Sequence, residues 1–107
     1  MVYYSEKAQH DLTEIFWGLI NWPKHPLEFN HASAYLDDIH VICNNLDKTN
    51  YHANVQFEIH KKYGKKVFNY TRNKNTTWYI IYDIDVVSNT IYIQHITSNH
   101  ITITGKE

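Results

Sequence analysis

The sequence predicts a single α+β domain in which a helical hairpin packs on one face of a mainly antiparallel sheet. Two stretches in the first half repeat apolar residues every three or four positions, which is typical of amphipathic helices. Three segments in the second half are rich in β-branched and aromatic residues, which is typical of strands. With a short strand at the start, the predicted order is β-α-α-β-β-β. The 107 residues are expected to form one domain, because this length supports one hydrophobic core.

The chain begins with a strand-like segment, Val2–Tyr4, followed by a signal for the start of a helix. Ser5 has a side chain suited to an N-cap, and Glu6 lies near the positive end of the helix dipole. Pro23 ends the helical pattern. The apolar residues at helical spacing are Ala8, Leu12, Ile15, Phe16 and Leu19.

A second amphipathic helix is predicted after a loop that extends to about residue 28. Its apolar positions are Phe29, Ala32, Leu36, Ile39, Cys43 and Leu46. Two consecutive amphipathic helices predict a hairpin whose apolar stripes share one partner, a face of the sheet. Cys43 is expected to be a small apolar core residue, and as the only cysteine it cannot form an internal disulfide.

The second half contains three predicted strands: Lys66–Thr71, Trp78–Asp85 and Thr90–Thr97. The last strand changes parity between Ile93 and Ile96, which indicates either a bulge or apolar residues on both faces. Residues 48–64 alternate apolar side chains without flanking turn residues, so no element is assigned to them.

The formal net charge of −1 conceals an uneven distribution. Residues 1–47 carry seven acidic residues against two lysines, whereas residues 48–74 carry seven basic residues against one acidic residue. The basic run consists of Lys61, Lys62, Lys65, Lys66, Arg72 and Lys74. It predicts a surface that meets phosphates, with a solvated lysine-rich loop as the alternative.

The second half also contains the residue types that metal-independent RNA cleavage requires. Such cleavage needs a base for the 2′-hydroxyl, an acid for the leaving 5′-oxygen and cations for the charge on phosphorus. Histidine suits the first two roles, arginine and lysine suit the third, and aromatic rings can stack on a base. The candidates are Arg72, Tyr79, Tyr82, His60, His95, His100, Lys62, Lys65, Lys66 and Lys74. The structural alternatives are that His95 packs within the sheet and that Tyr79 or Tyr82 belongs to the core.

Other classes of protein are disfavoured by the pattern. The eight histidines lack the spacing of a metal site, so neither a metal nor a cofactor is expected. No apolar run approaches the roughly 18 residues of a membrane span. The start lacks the features of a signal peptide, and with the lone cysteine this predicts a cytoplasmic protein.

Three short motifs are similar to the RelE/ParE toxin superfamily, closest to a Bacteroidetes-type branch. In order, they are Lys62–Lys65, Asn75–Tyr79 and Ile96–His100. The segment Tyr4–Leu12 also resembles the start of the family, and the β-α-α-β-β-β order matches over nearly the whole length.

The resemblance implies a toxin of a type II toxin–antitoxin pair, neutralised by a small antitoxin protein. RelE-type members cleave mRNA in the ribosome, whereas ParE-type members block DNA gyrase without cutting RNA. We expect the ribonuclease; a gyrase inhibitor, or an inactive domain that only binds antitoxin, is the alternative.

Arg72 matches the arginine that RelE-type enzymes carry near the end of the second strand. A second family arginine falls on Tyr79 here, and some relatives use histidines, so His100 is expected to act as the acid or base. The resemblance and the chemistry together predict Arg72, His100 and Tyr79 as catalytic residues. The expected RNA-binding residues are Lys62, Lys65, Lys66, Lys74 and His95.

Overall fold

The computed structural model describes residues 1–22 and 26–99, without the side chain of Asn73. In these ranges the elements are β1 (Val2–Tyr4), α1 (Glu6–Ile20), α2 (Phe29–Asn44), a 3-10 turn (Leu46–Lys48), β2 (Ala53–Asn54), α3 (Glu58–Lys61), β3 (Lys66–Asn73), β4 (Thr76–Asp85) and β5 (Thr90–Ser98). Every predicted helix and strand is present. The unassigned residues 48–64 contain β2 and α3, which are too short to produce a periodic pattern.

Within the described ranges, the strands form one five-stranded sheet in the order β1-β5-β4-β3-β2. β1 pairs with β5 in parallel, and the other three pairings are antiparallel. The fold is therefore α+β with a mixed, mainly antiparallel sheet, as predicted. None of the described helices is long and apolar enough to span a membrane.

The main core lies between the two long helices and one face of the sheet, which we call the helix face. Leu36 and Ile39 of α2 are 8% and 0% exposed, and they belong to the same apolar cluster as Trp78 and Ile80 of β4. Cys43 is fully buried in this cluster, and burial raises the pKa of its thiol to about 12. The packing of both apolar stripes against the sheet is confirmed except at Phe29, which is 63% exposed.

A smaller cluster lies on the other face of the sheet, which we call the opposite face. It contains Val55, Val67, Tyr79 and Ile81, with Tyr63 packed against it. The segment from β2 to the start of β3 therefore covers part of a face that would otherwise be exposed.

A bulge in β5 explains the change of parity in its sequence. Tyr82 pairs with Ile93, while its neighbour Ile81 pairs with His95, so β5 has one extra residue, Gln94, between them. The bulge lets Ile93 and Ile96 both reach the core on the helix face.

The start of α1 covers the edge of β5 beyond the three residues that β1 pairs with. Ser5 caps α1 by accepting a hydrogen bond from the Ala8 amide at 3.0 Å, and its hydroxyl also donates to the Gln94 carbonyl at 3.1 Å. The Ile96 amide donates to Asp11 at 3.1 Å. Side chains of α1 thus satisfy edge groups of β5 that no strand pairs with.

Candidate functional site

Arg72 lies on the helix face and is held by α2. Its Nη1 donates to Asp38 at 2.7 Å and to the Tyr70 hydroxyl at 3.0 Å. The guanidinium lies 3.8 Å from the centroid of the Tyr35 ring, a cation–π geometry. The Arg72 side chain is only 28% exposed, and its positive charge is partly neutralised by Asp38 within the protein.

Tyr79 lies on the opposite face, 9% exposed, within the small cluster. Its ring centroid is 5.0 Å from that of His60 and 5.5 Å from that of Phe57. The sheet therefore separates Tyr79 from Arg72, and the two side chains cannot contact one phosphate in this conformation. Tyr82 is also buried, on the helix face, so both tyrosines belong to the core.

His100, the third catalytic candidate, lies outside the described residues. The residue before it, Asn99, contacts the turn between β3 and β4. Its Oδ1 accepts from the Thr77 amide at 3.1 Å, and its Nδ2 donates to the Asn75 carbonyl at 3.2 Å. The described chain therefore ends beside the hairpin that carries Arg72.

The basic run, continuous in sequence, is divided in space by β3. Lys62, Lys65 and Lys66 lie at or before the first residue of this strand, whereas Lys74 follows its last residue. Because a strand rises about 3.3 Å per residue, β3 separates the two groups by roughly 25 Å. The lysines are therefore expected to form two positive surfaces rather than one.

These lysines have no acidic partner among the described residues, although Lys62 lies over the Tyr63 ring and Lys66 is hydrogen-bonded. No described residue forms a salt bridge with Lys62, Lys65, Lys66 or Lys74. Lys66 donates to the Asn54 side chain at 2.7 Å, and Lys61 pairs with Glu58 at 2.8 Å. Removing any one of the unpaired lysines should therefore leave the folded chain largely unchanged.

His95 is 2% exposed and is bound to Asp11 of α1. The His95 Nδ1 lies 2.6 Å from Asp11 Oδ2, and Lys7 donates to the other carboxylate oxygen at 3.0 Å. The Tyr63 ring lies over His95 with a centroid distance of 4.0 Å. Direct contact between His95 and RNA, as expected from the sequence, requires Tyr63 to move.

The protonation of Asp11 follows from these contacts. Burial acts to raise its pKa, but hydrogen bonds from His95 and from the Ile96 amide outweigh burial, so the pKa lies below the ordinary aspartate value. Asp11 is therefore a carboxylate, and the His95 Nδ1 carries the hydrogen that it accepts. A carboxylate that orients a histidine in this way is a common arrangement in acid–base sites.

Lysines surround the ring that covers His95. The ammonium groups of Lys7 and Lys62 each lie 5.0 Å from the centroid of Tyr63. Lys7, Asp11 and Tyr63 were not among the sequence candidates. The sequence does contain a feature that could have identified Asp11. This residue interrupts the apolar stripe of α1 between Ala8 and Leu12, where a carboxylate without a partner would be costly.

The second and third sequence motifs lie side by side on β4 and β5, and the first contacts β5 through Tyr63. Tyr79 of the second motif pairs in register with Thr97 of the third, and Thr77 is bonded to Asn99. Tyr63 of the first motif stacks on His95, next to the third motif. The second and third motifs therefore form one region of the sheet, and Tyr63 of the first motif packs against its opposite face. Among the described residues, no three His, Cys, Asp or Glu side chains are grouped as metal ligands.

Comparison with known proteins identified no relative of this chain. No protein-family model, curated protein or solved structure matches the chain significantly.

Proposed function

We propose that this protein is the toxin of a type II toxin–antitoxin pair and acts in the cytoplasm as a metal-independent, ribosome-dependent mRNA endoribonuclease. The observation that supports it most is that the second and third RelE/ParE-like motifs pair along β4 and β5, with Tyr63 of the first motif packed against His95 of β5. The helical hairpin on one face of a mainly antiparallel sheet agrees with the same superfamily, although β2 and α3 are additional to the predicted β-α-α-β-β-β order.

In this proposal the unpaired lysines hold the RNA backbone, since phosphate contacts position a nucleic acid without reading its sequence. Arg72 stabilises the charge that builds on phosphorus, and His100 exchanges a proton with the 2′-hydroxyl or the 5′-oxygen. Asn99, the last described residue, lies beside the β3–β4 turn that follows Arg72. For this role Arg72 must exchange its contact with Asp38 for the phosphate.

A gyrase-directed toxin without catalytic activity is the second candidate, because one observation favours it. Arg72 and Tyr79 lie on opposite faces of the sheet, so two of the three catalytic candidates are separated. Inhibition of gyrase by binding alone does not require Arg72 and Tyr79 to lie close together. An inactive domain that only binds an antitoxin would share this geometry.

Induced expression in bacterial cells separates the three functions. The ribonuclease causes growth arrest with new mRNA ends at translated codons, and the gyrase inhibitor causes arrest with loss of DNA supercoiling. The inactive domain causes neither. Intact mRNA together with relaxed plasmid DNA would overturn the ribonuclease in favour of the gyrase inhibitor.

Three variants then test the catalytic assignment. Arg72→Ala and His100→Ala should each lower cleavage by roughly a hundredfold to a thousandfold, the usual cost of one lost transition-state hydrogen bond. Asp38→Asn is the matched control, because it breaks the ion pair but keeps the guanidinium. Equal loss of activity in Arg72→Ala and Asp38→Asn would show that Arg72 acts only by holding α2 to β3.

A further inference from the structure

β3 is paired along its whole length on one side and along only two residues on the other. Residues from Lys66 to Asn73 pair with β4. On the other side, β2 pairs only with Lys66 and Val67. Among the residues that the structure describes, nothing pairs with the rest of that side, which is a free strand edge.

In an antiparallel sheet, the backbone N–H and C=O groups of successive residues point alternately to the two sides of a strand. This alternation identifies the backbone groups at the free edge. The Val67 backbone faces β2, so those of Asn69 and Thr71, two and four residues later, face the same way. Both residues are exposed, and neither backbone is bonded outside the β3–β4 ladder within the described ranges. Two amides and two carbonyls thus remain available to a further strand.

Within the described ranges, the chain before β2 runs near this edge without pairing with it. β2 begins at Ala53, and the preceding residue, His52, is bonded through Nδ1 to the Tyr82 hydroxyl at 2.6 Å. Its ring also packs against Tyr82 with a centroid distance of 5.6 Å. This contact joins His52 to Tyr82 of β4, and no described residue before Ala53 pairs with β3.

A cavity of about 360 Å³ lies beside the free edge. It is lined by Thr49, Tyr51, Ala53, Val67, Phe68, Asn69 and Tyr82. An added strand directs alternate side chains to one face of the sheet, so its apolar residues would enter this cavity.

The charges near the edge indicate the kind of strand that fits. Lys48 precedes the cavity residue Thr49, and Lys66 and Lys74 lie at the two ends of β3. No described residue forms a salt bridge with any of these three lysines. A second copy of the chain would bring the same positive charges against them, whereas an acidic strand would neutralise them.

We propose that the free edge of β3, at Asn69 and Thr71, binds an extended acidic segment of a partner protein as an additional β-strand. The segment alternates apolar side chains, which enter the cavity, with carboxylates, which meet the lysines. This inference goes beyond the toxin function and does not depend on RNA cleavage. Failure of strand binding with growth arrest intact would overturn only the inference.

The test uses the full chain and a synthetic decapeptide of alternating Glu and Val with blocked ends. Hydrogen–deuterium exchange resolved by NMR should show slowing of at least about tenfold at the amides of Asn69 and Thr71 when the peptide is added. A peptide of alternating Lys and Val is the charge control, and we expect it to bind at least about tenfold more weakly at low salt. Unchanged exchange at both amides, or equal binding of the two peptides, would overturn the proposal.

Two further measurements address the backbone itself. An acidic peptide with N-methyl groups on alternate amides cannot complete the ladder and should lose binding without any change to the protein. Asn69→Pro removes one outward amide at a position where an edge strand tolerates proline, and should bind at least about tenfold more weakly than Asn69→Ala. Pairing of two protein copies through β3, seen as a dimer that the acidic peptide does not dissociate, would show that the occupant is a second copy.

Discussion

Asp11 and His95 lie 84 residues apart in sequence and form a hydrogen bond of 2.6 Å between α1 and β5. The same carboxylate oxygen accepts from the Ile96 amide, so one side chain closes the strand edge and orients the histidine. Asp11 therefore holds α1 against the sheet and fixes the hydrogen of His95 on Nδ1.

Asp11→Asn should lower the free energy of unfolding at neutral pH by about 1.5–3 kcal/mol, because hydrogen bonds to a charged group are worth that much. The measurement is urea unfolding followed by circular dichroism. Lys7→Ala is the control on the same carboxylate. It removes a half-exposed ion pair and should cost less than about 1 kcal/mol. Equal stability of Asp11→Asn and the unchanged protein would contradict this account.

Asp11 also predicts how stability depends on pH. Its pKa is lower in the folded chain than in the unfolded chain, so the unfolded state binds more protons as the pH falls through the aspartate range. Its stabilising contribution is complete above the ordinary aspartate pKa and is lost as the pH falls through the lowered value. Unfolding midpoints measured from neutral to acid pH should therefore fall less steeply in Asp11→Asn. Parallel curves for the two proteins would argue against the lowered pKa.

Gly64 should not tolerate a side chain, because a Cβ there would lie 3.1 Å from both Ile81 Cγ2 and the Tyr82 carbonyl oxygen. We expect Gly64→Ala to destabilise the fold by about 1–3 kcal/mol, the usual cost of overpacking. Gly18 in α1 has no atom within 4 Å of its Cβ position, so Gly18→Ala should stabilise by about 0.5–1 kcal/mol through helix propensity. Thermal melts of both variants test the contrast, and a shift in the same direction would refute it.

Ile39 and Val41 lie two positions apart on α2 but differ in exposure, 0% against 59%. Ile39→Ala should cost about 2–5 kcal/mol, because it leaves a cavity between α2 and the sheet. Val41→Ala should change stability by less than about 0.5 kcal/mol. Chemical denaturation measures both changes, and similar losses would mean that α2 packs on the sheet in another orientation.

Binding of a short single-stranded RNA should weaken as salt rises, because unpaired lysines release counterions when they meet phosphates. Each phosphate contact contributes about 0.7 to the slope of log affinity against log salt. The double variant Lys62→Gln, Lys65→Gln should therefore lower the slope by about 1.4. Fluorescence anisotropy across a salt series gives the slope. A slope unchanged by the double variant would exclude these two lysines from the interface.

The sequence by itself determined the two long helices, four of the five strands in the described sheet, and much of the core. Helical spacing in both long helices, the Ser5 cap and the burial of Cys43 follow from local patterns, because backbone periodicity is set by neighbours along the chain. The change of parity before Ile96 left a bulge in β5 as one of two alternatives, and the strand register decided for it.

Only the tertiary structure decided how the candidate site is arranged. The register between β3 and β4 and the packing of α2 place Arg72 and Tyr79 on opposite faces of the sheet. The length of β3 divides the lysines that follow one another in sequence, and the chain path at His52 leaves Asn69 at a free edge. Asp11 and His95 carry no local signal of their contact, because it depends on how α1 crosses the end of β5. These arrangements arise from pairings between distant segments, whose register and faces local periodicity does not specify.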